Sequence, residues 1–285
     1  MNLKPLKTKS FGNTNGRVTV VGLGGEGILR TYDRETEAKA VIHAALEQGI
    51  RYYDCGHVYA DSEKYYGAVW QDRPEQRNKI FQASKSASRD KQGALADLEK
   101  TLDRMHIDRL DLWQIHDVRT EADLRAISGK GGALEAFVEA KSSGRVRYIG
   151  VTGHHDPVVL TRAVIEWPVD AVMLPVNPVE GALGGFLTTA LEAAQKKNLA
   201  TIGMKILGAA HYLFPQQGVT ATQLIRYALS FDITVAIVGC SSVDEVLTLS
   251  EAGRSDSAMT IEERNELTDI FKPHARKLAF YRGAH

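Results

Sequence analysis

Four residues in this chain carry groups able to move a proton to and from a substrate oxygen. Asp54 and Tyr59 lie in YYDCGHVYADSEKYYG, Lys85 in FQASK and His116 in LDLWQIHD. A free phenol has a pKa of about 10, but an ammonium about 4 Å away at an effective dielectric near 20 contributes roughly 4 kcal/mol to the phenolate. Lys85 is therefore expected to lower the pKa of Tyr59, which would protonate a substrate oxygen in reduction and recover the proton in oxidation. Asp54 is expected to orient and neutralise Lys85. His116 is expected to aim a ring N–H at the same oxygen. Each residue alone has a bland account as a cap, a core histidine or a solvated side chain. Burying an Asp and a Lys together, however, costs several kcal/mol unless they pair, and such a pair suggests a function.

The elements that would bring these groups together are short β-branched runs alternating with longer stretches of helical period. The runs are Val18–Gly24, Ile50–Cys55, Lys79–Ser84, Leu110–His116, Arg147–Thr152, Ala171–Val176, Ala200–Lys205 and Val235–Cys240. Helical period marks 35–48, 91–105, 132–143 and 220–230. In the first of these, Ala38, Val41, Ile42, Ala45 and Leu46 share one face. Runs such as VAIVG, apolar at consecutive positions, suit parallel strands covered on both sides. Eight βα units predict a (β/α)8 TIM barrel, one domain over residues 1–285, with chemistry at the strand ends. The run GLGGEG at 22–27 reads as a flexible βα loop at the barrel mouth. Ahead of it, KTKSFGNTNGRVTVV reads as a β-hairpin with Asn15-Gly16 in the turn, able to plug the barrel bottom. The tail FKPHARKLAFYRGAH is placed near the barrel mouth.

Composition narrows the chemistry. The 285 residues carry 35 Lys+Arg and 35 Asp+Glu, which removes the basic footprint of a nucleic-acid or anionic-membrane binder. Two cysteines, Cys55 and Cys240, make neither a disulfide framework nor a four-thiolate metal site and fit a reducing compartment. The first residues lack a signal-peptide pattern, and no run reaches the roughly 20 apolar residues of a membrane span. A cytoplasmic protein acting on a small molecule is expected.

The run GIRYYDCGHVYADSEKYYG resembles the aldo-keto reductase signature: an Asp, a Tyr-bearing loop, then a Ser-Glu-x-x-x-Gly helix matched by Ser62, Glu63 and Gly67. Lys85 at the end of strand three and LDL-x-x-x-H, with Asp111 before His116, match too. RVRYIGVTGHH, VMLPVNP, GMKILGAA and IVGCSSVDEV stand in the order and spacing of that family's later segments. The resemblance implies a (β/α)8 barrel that reversibly reduces an aldehyde or ketone with NAD(P)H, without metal or flavin, Tyr59 being the acid and base.

It also implies coenzyme contacts at Gly24, Gly25, Asp54, Thr152, Gly153, Asn177, Met204, Lys205, Leu207, Gly208, Gly239, Ser241, Ser242 and Glu245. Met173 stands where the family's carboxamide-binding Gln would be, and Asn177 is expected to substitute. Met204 replaces a stacking aromatic, and Lys205 is placed to meet the pyrophosphate. Glu245 would repel a 2′-phosphate and accept from ribose hydroxyls, which predicts NADH-leaning or dual use. His57, Trp113, His154 and His155 are the candidate substrate contacts. Tyr281 is a further wall candidate, whereas Tyr66 and Trp70 read more readily as core. The adjacent spacing of His154 and His155 speaks against metal chelation. Sugars, small aldehydes and polycyclic ketones remain open as substrates. The competing functions are a non-catalytic coenzyme-binding, redox-sensing subunit and a Schiff-base lyase using Lys85 or Lys205.

Overall fold

The computed structural model describes residues 4–255 and 259–283. A hairpin of β1 (Thr8–Ser10) and β2 (Arg17–Thr19) precedes eight parallel strands: β3 (Val21–Gly27), β4 (Tyr52–Tyr53), β5 (Phe81–Ser86), β6 (Leu110–Ile115), β7 (Val146–Thr152), β8 (Ala171–Pro175), β9 (Ala200–Met204) and β10 (Val235–Cys240). Each barrel strand pairs with its neighbour in sequence, and β10 pairs with β3 to close the ring. The expected eight-stranded barrel and its N-terminal hairpin are both present.

Two boundaries differ. Val18 belongs to the hairpin, and the first barrel strand runs through GLGGEG as β3 instead of leaving it as a loop. The hairpin loop is longer than an Asn-Gly turn, with Phe11 N–H bonded to Gly16 O at 2.8 Å. Its left-handed residue is Gly12, at φ 59°. Gly12 packs so close to the backbone of Asn198–Ala200 that a Cβ would overlap it, so only glycine meets both demands. The loop drives Phe11 into the barrel bottom, 4.6 Å from the Phe81 ring centroid and 5.6 Å from that of Tyr148.

The two-residue period of the strands decides which side chains face inward. Tyr52 and Phe81, with Ala83, Leu112, Tyr148, Ala171, Met173, Ala200 and Ile202, form the interior cluster. The alternate residues Leu23, Tyr53, Trp113, Ile149 and Leu174 pack outward in the cluster that includes helix residues. Helix Lys91–Met105 shows how that layer forms. Asp90 caps it by accepting from Gly93 N, Ala94, Leu98, Thr101, Leu102 and Met105 make its buried stripe, and left-handed His106 ends it. Among the described residues no helix is long and apolar enough to cross a membrane.

Candidate active site

Continuing the interior rows upward places Asp54 above Tyr52, Lys85 above Ala83, and Gln114 then His116 above Leu112. They meet at the carboxyl-end mouth, where a cleft of about 1060 Å³ opens. Lys85 Nζ lies 2.5 Å from Asp54 Oδ2 and donates to Cys55 O. Gln114 Nε2 approaches Asp54 Oδ1 at 3.5 Å. The loop after β4 turns Tyr59 back over this pair, its ring centroid 4.8 Å from Lys85 Nζ. Tyr59 Oη stands 3.4 Å from His116 Nε2. All four proposed catalytic residues line the cleft.

The electrostatics differ from the expectation at Tyr59. Burial pushes its phenol above the ordinary value, outweighing the downward pull of Lys85, while Asp54 and Glu26 push it further up. Burial also lifts the Asp54 carboxyl against the pull of Lys85. Burial opposes the Lys85 ammonium as well, but Asp54 and Tyr59 hold it above its usual range. Burial, with Lys85 nearby, drives His116 down to about 3, so its imidazole is neutral near pH 7.

Several other expected residues line the same cleft: Gly24, Gly25, Thr152, His154, Met204, Lys205, Leu207, Gly208, Gly239, Ser241 and Glu245. The remainder are elsewhere. Gly153 packs against Leu160 and the Val118 carbonyl, outside the cleft lining. Asn177 is fully engaged: Oδ1 caps the next helix through Glu180 N, and Nδ2 donates to Lys205 O and Tyr281 Oη. Ser242 caps helix Val243–Arg254 by accepting from Glu245 N. Trp113, of opposite strand parity to His116, stacks on Phe137 at 3.6 Å. His57 turns behind the wall, within 3.5 Å of Glu63 and 3.4 Å of Asp97. His155 contacts the tail, its carbonyl accepting from Gly283 N. Tyr281 is buried and donates to Glu180 Oε1 at 2.8 Å.

The tail does reach the mouth, since Phe280 lines the cleft; residues 284–285 lie outside the described residues. Sequence reasoning missed Glu26, Arg30, Arg89, Asp117, Arg119 and Asp123, which also line it. Arg30 sits 4.7 Å from the Tyr59 ring centroid and 2.7 Å from Glu26 Oε1. The run of charged residues after His116 was the available signal for Asp117 and Arg119.

Charge pairing in the cleft bears on what it can hold. Arg30 pairs with Glu26, Lys85 with Asp54, Arg89 with Asp123 and Arg119 with Asp117. Among the described residues, Lys205 is the cleft cation with no carboxylate partner. Burial pushes its ammonium down. The same lining includes Gly239, Ser241 and Glu245 at the start of helix Val243–Arg254, where the helix dipole favours an anion although Asp244 and Glu245 already stand in the first turn. An unpartnered ammonium and a helix N-terminus lining one cleft are compatible with a dinucleotide pyrophosphate. No group of three or more His, Cys, Asp or Glu among the described residues is placed to hold a metal ion.

A model of the Aldo/keto reductase family matches residues 20–214. An aldo-keto reductase of Strobilurus tenacellus is 26% identical over 219 residues, 72% of this chain and 62% of its own length. One from Schizosaccharomyces pombe, whose name specifies NADP(+), is 27% identical over 71% of this chain and 62% of its own. The match thus spans less than two thirds of either relative. A solved aldo-keto reductase from Bacillus halodurans, in its holo form, superposes with a TM-score of 0.77 at 20% identity, over 93% of this chain and 96% of its own. At that identity the likeness speaks for the fold.

Proposed function

The chain belongs to the aldo/keto reductase family, and we propose that it is an NAD(P)H-dependent oxidoreductase reversibly reducing an aldehyde or ketone to an alcohol. The observation that carries this reading is Tyr59 Oη, 3.4 Å from the neutral His116 ring and packed beside the buried Lys85–Asp54 pair. On this reading residues 1–285 work as one barrel domain, because the ring closes between β3 and β10 within them.

When bound, the coenzyme supplies or accepts the hydride; the chain's residues hold the reactants and handle the proton. Lys205 and the glycines of β3 and β10 receive the coenzyme, and Met204 and Met173 line the same cleft. Tyr59 O–H and His116 Nε2–H converge on one substrate oxygen, fixing it and polarising the carbonyl. As negative charge grows on that oxygen, Tyr59 donates its proton. An alkoxide is far more basic than a phenolate, so in this direction the acid works without a lowered pKa. Lys85 then stabilises the phenolate, and Asp54 keeps Lys85 charged and in place. In the oxidative direction the phenolate must exist beforehand, so the raised phenol pKa favours alkaline conditions.

Glu245 lines the cleft at the start of helix Val243–Arg254, and its Oε2 accepts from Ser241 N at 2.6 Å. A carboxylate there favours free ribose hydroxyls over a 2′-phosphate, supporting NADH-leaning or dual use. The test is a coenzyme-fluorescence titration followed by a panel of carbonyl compounds watched at the reduced-coenzyme absorbance. The expected result is coenzyme binding with oxidation that depends on the carbonyl; tight binding with no turnover across the panel would contradict the proposal.

A further inference from the structure

Besides Lys85, a second cation lies over the Tyr59 ring. The guanidinium carbon of Arg30 is 4.7 Å from the ring centroid, and its carboxylate partner, Glu26, is 2.7 Å from it. Both side chains are about half exposed at the cleft wall, whereas Lys85 and Asp54 are buried. The charged and titratable groups facing the phenol are thus Glu26 from β3, Arg30 from the turn Ile28–Arg30 that follows it, Asp54 after β4, Lys85 in β5 and His116 after β6.

The backbone keeps ring and guanidinium together. Gly25 lets the phenol approach β3, since a Cβ there would lie 2.9 Å from a Tyr59 ring carbon. The carbonyl of Thr31, next to Arg30, accepts from Asp61 N at 3.2 Å and from Tyr65 Oη at 3.0 Å. These bonds tie the segment carrying Arg30 to the loop and helix that follow Tyr59. Burial lifts the phenol most; of the charges, Lys85 and Arg30 pull it down, and Asp54 and Glu26 push it up. A cation over the ring favours the phenolate more than the phenol, because ionisation leaves the ring itself with excess negative charge.

We propose that Arg30 is a positioning residue for proton transfer that acts through Tyr59: it stacks on the ring and stabilises the charge developing there, and Glu26 moderates that cation. As the Oη–H bond breaks and the proton passes to the substrate oxygen, the electron pair stays on Tyr59 and spreads into the ring facing Arg30. The hydride comes from the reduced coenzyme. The inference rests on the reductase reading for what the phenol does, but not for the charges placed around it.

The test reads Tyr59 directly. Difluorotyrosine placed at position 59 of the full chain ionises nearer neutrality, and its fluorine NMR signal reports the titration of this residue alone. Arg30→Met removes the charge but keeps a long side chain, and should raise the midpoint by about half a pH unit or more; Glu26→Gln should lower it by a similar amount. Arg30→Lys should return it to within about two tenths of a pH unit of the parent. Both positions are half exposed, so the variants should fold. Midpoints unmoved in both Arg30→Met and Glu26→Gln, or moved in the same direction, would overturn the proposal, because a merely structural role gives no opposed signs. In the chain with its native tyrosine, kcat for reduction of para-nitrobenzaldehyde with reduced coenzyme should fall about threefold or more in Arg30→Met and recover in Arg30→Lys; an undiminished kcat would also overturn it. Opposed midpoints in a protein that reduces no carbonyl would uphold the placement of charge and end the reductase reading, whereas turnover with unmoved midpoints would end the proposal alone.

Discussion

Lys85 Nζ lies 2.5 Å from Asp54 Oδ2 but 4.8 Å from the Tyr59 ring centroid, so the carboxylate answers most of its charge before the phenol does. Burial is the main reason the phenol stands above its ordinary pKa; Lys85 pulls it down, but Asp54, which holds that ammonium, pushes it back up. With Tyr59 buried, desolvation opposes the phenolate more than the Lys85 ammonium favours it. The lysine holds a site in which a phenolate can form transiently; it does not keep one ionised at rest.

Breaking that pair from one side should be costly. Lys85→Met leaves Asp54 buried and unpaired, with an expected loss of about 3–5 kcal/mol in urea denaturation. Asp54→Leu combined with Lys85→Met should recover most of that stability, since an apolar pair of similar volume replaces the ions, yet turnover should stay abolished. A double variant as unstable as the single one would place the cost elsewhere.

The neutral state of His116 makes a claim about pH. Its pKa is depressed to about 3, so protonation sets in only on descent towards that value and the ring stays neutral above it. The kcat profile for reduction should therefore show no His116 inflection between about pH 5 and 8. His116→Gln should lower kcat/KM by roughly tenfold to a thousandfold, to the same extent across that window. An inflection near pH 6.5 that vanishes in the variant would contradict the neutral ring.

Much of this site was readable from strand alternation. Tyr52 and Asp54; Phe81, Ala83 and Lys85; Leu112, Gln114 and His116 each step by two, so buried rings at the bottom imply inward polar groups at the top. The same rule excludes Trp113, three residues before His116 and on the opposite face. Asn177 was also legible another way: Asn followed by Pro is a helix N-cap signal, and the capped helix Pro178–Leu183 begins there. His57 and Asp117 were not, because their placement depends on how loop backbone turns. Asp117 has a left-handed backbone at φ 54°, with its N–H bonded to Thr152 Oγ1 and its carbonyl accepting from Arg89, both distant in sequence. The rise in the Tyr59 pKa was hidden for a related reason, since residue types reveal a neighbouring charge but not the depth of burial.

Coenzyme choice should respond to Glu245. Replacing its carboxylate by a cation, Glu245→Arg, should move the ratio of kcat/KM for NADPH over NADH upward by about tenfold or more, chiefly through KM. In the wild type, initial rates at equal subsaturating concentrations should not favour NADPH by as much as about a hundredfold. Such an advantage would remove Glu245 from the contacts to the coenzyme ribose.

The most direct test of the whole account is Tyr59→Phe, which deletes the acidic hydroxyl and keeps the ring packed beside Lys85 and Arg30. Coenzyme affinity by fluorescence titration should stay within about threefold of wild type, while kcat for carbonyl reduction falls by about a hundredfold to ten-thousandfold. Full turnover in this variant would show that another group delivers the proton and would contradict the account at its centre.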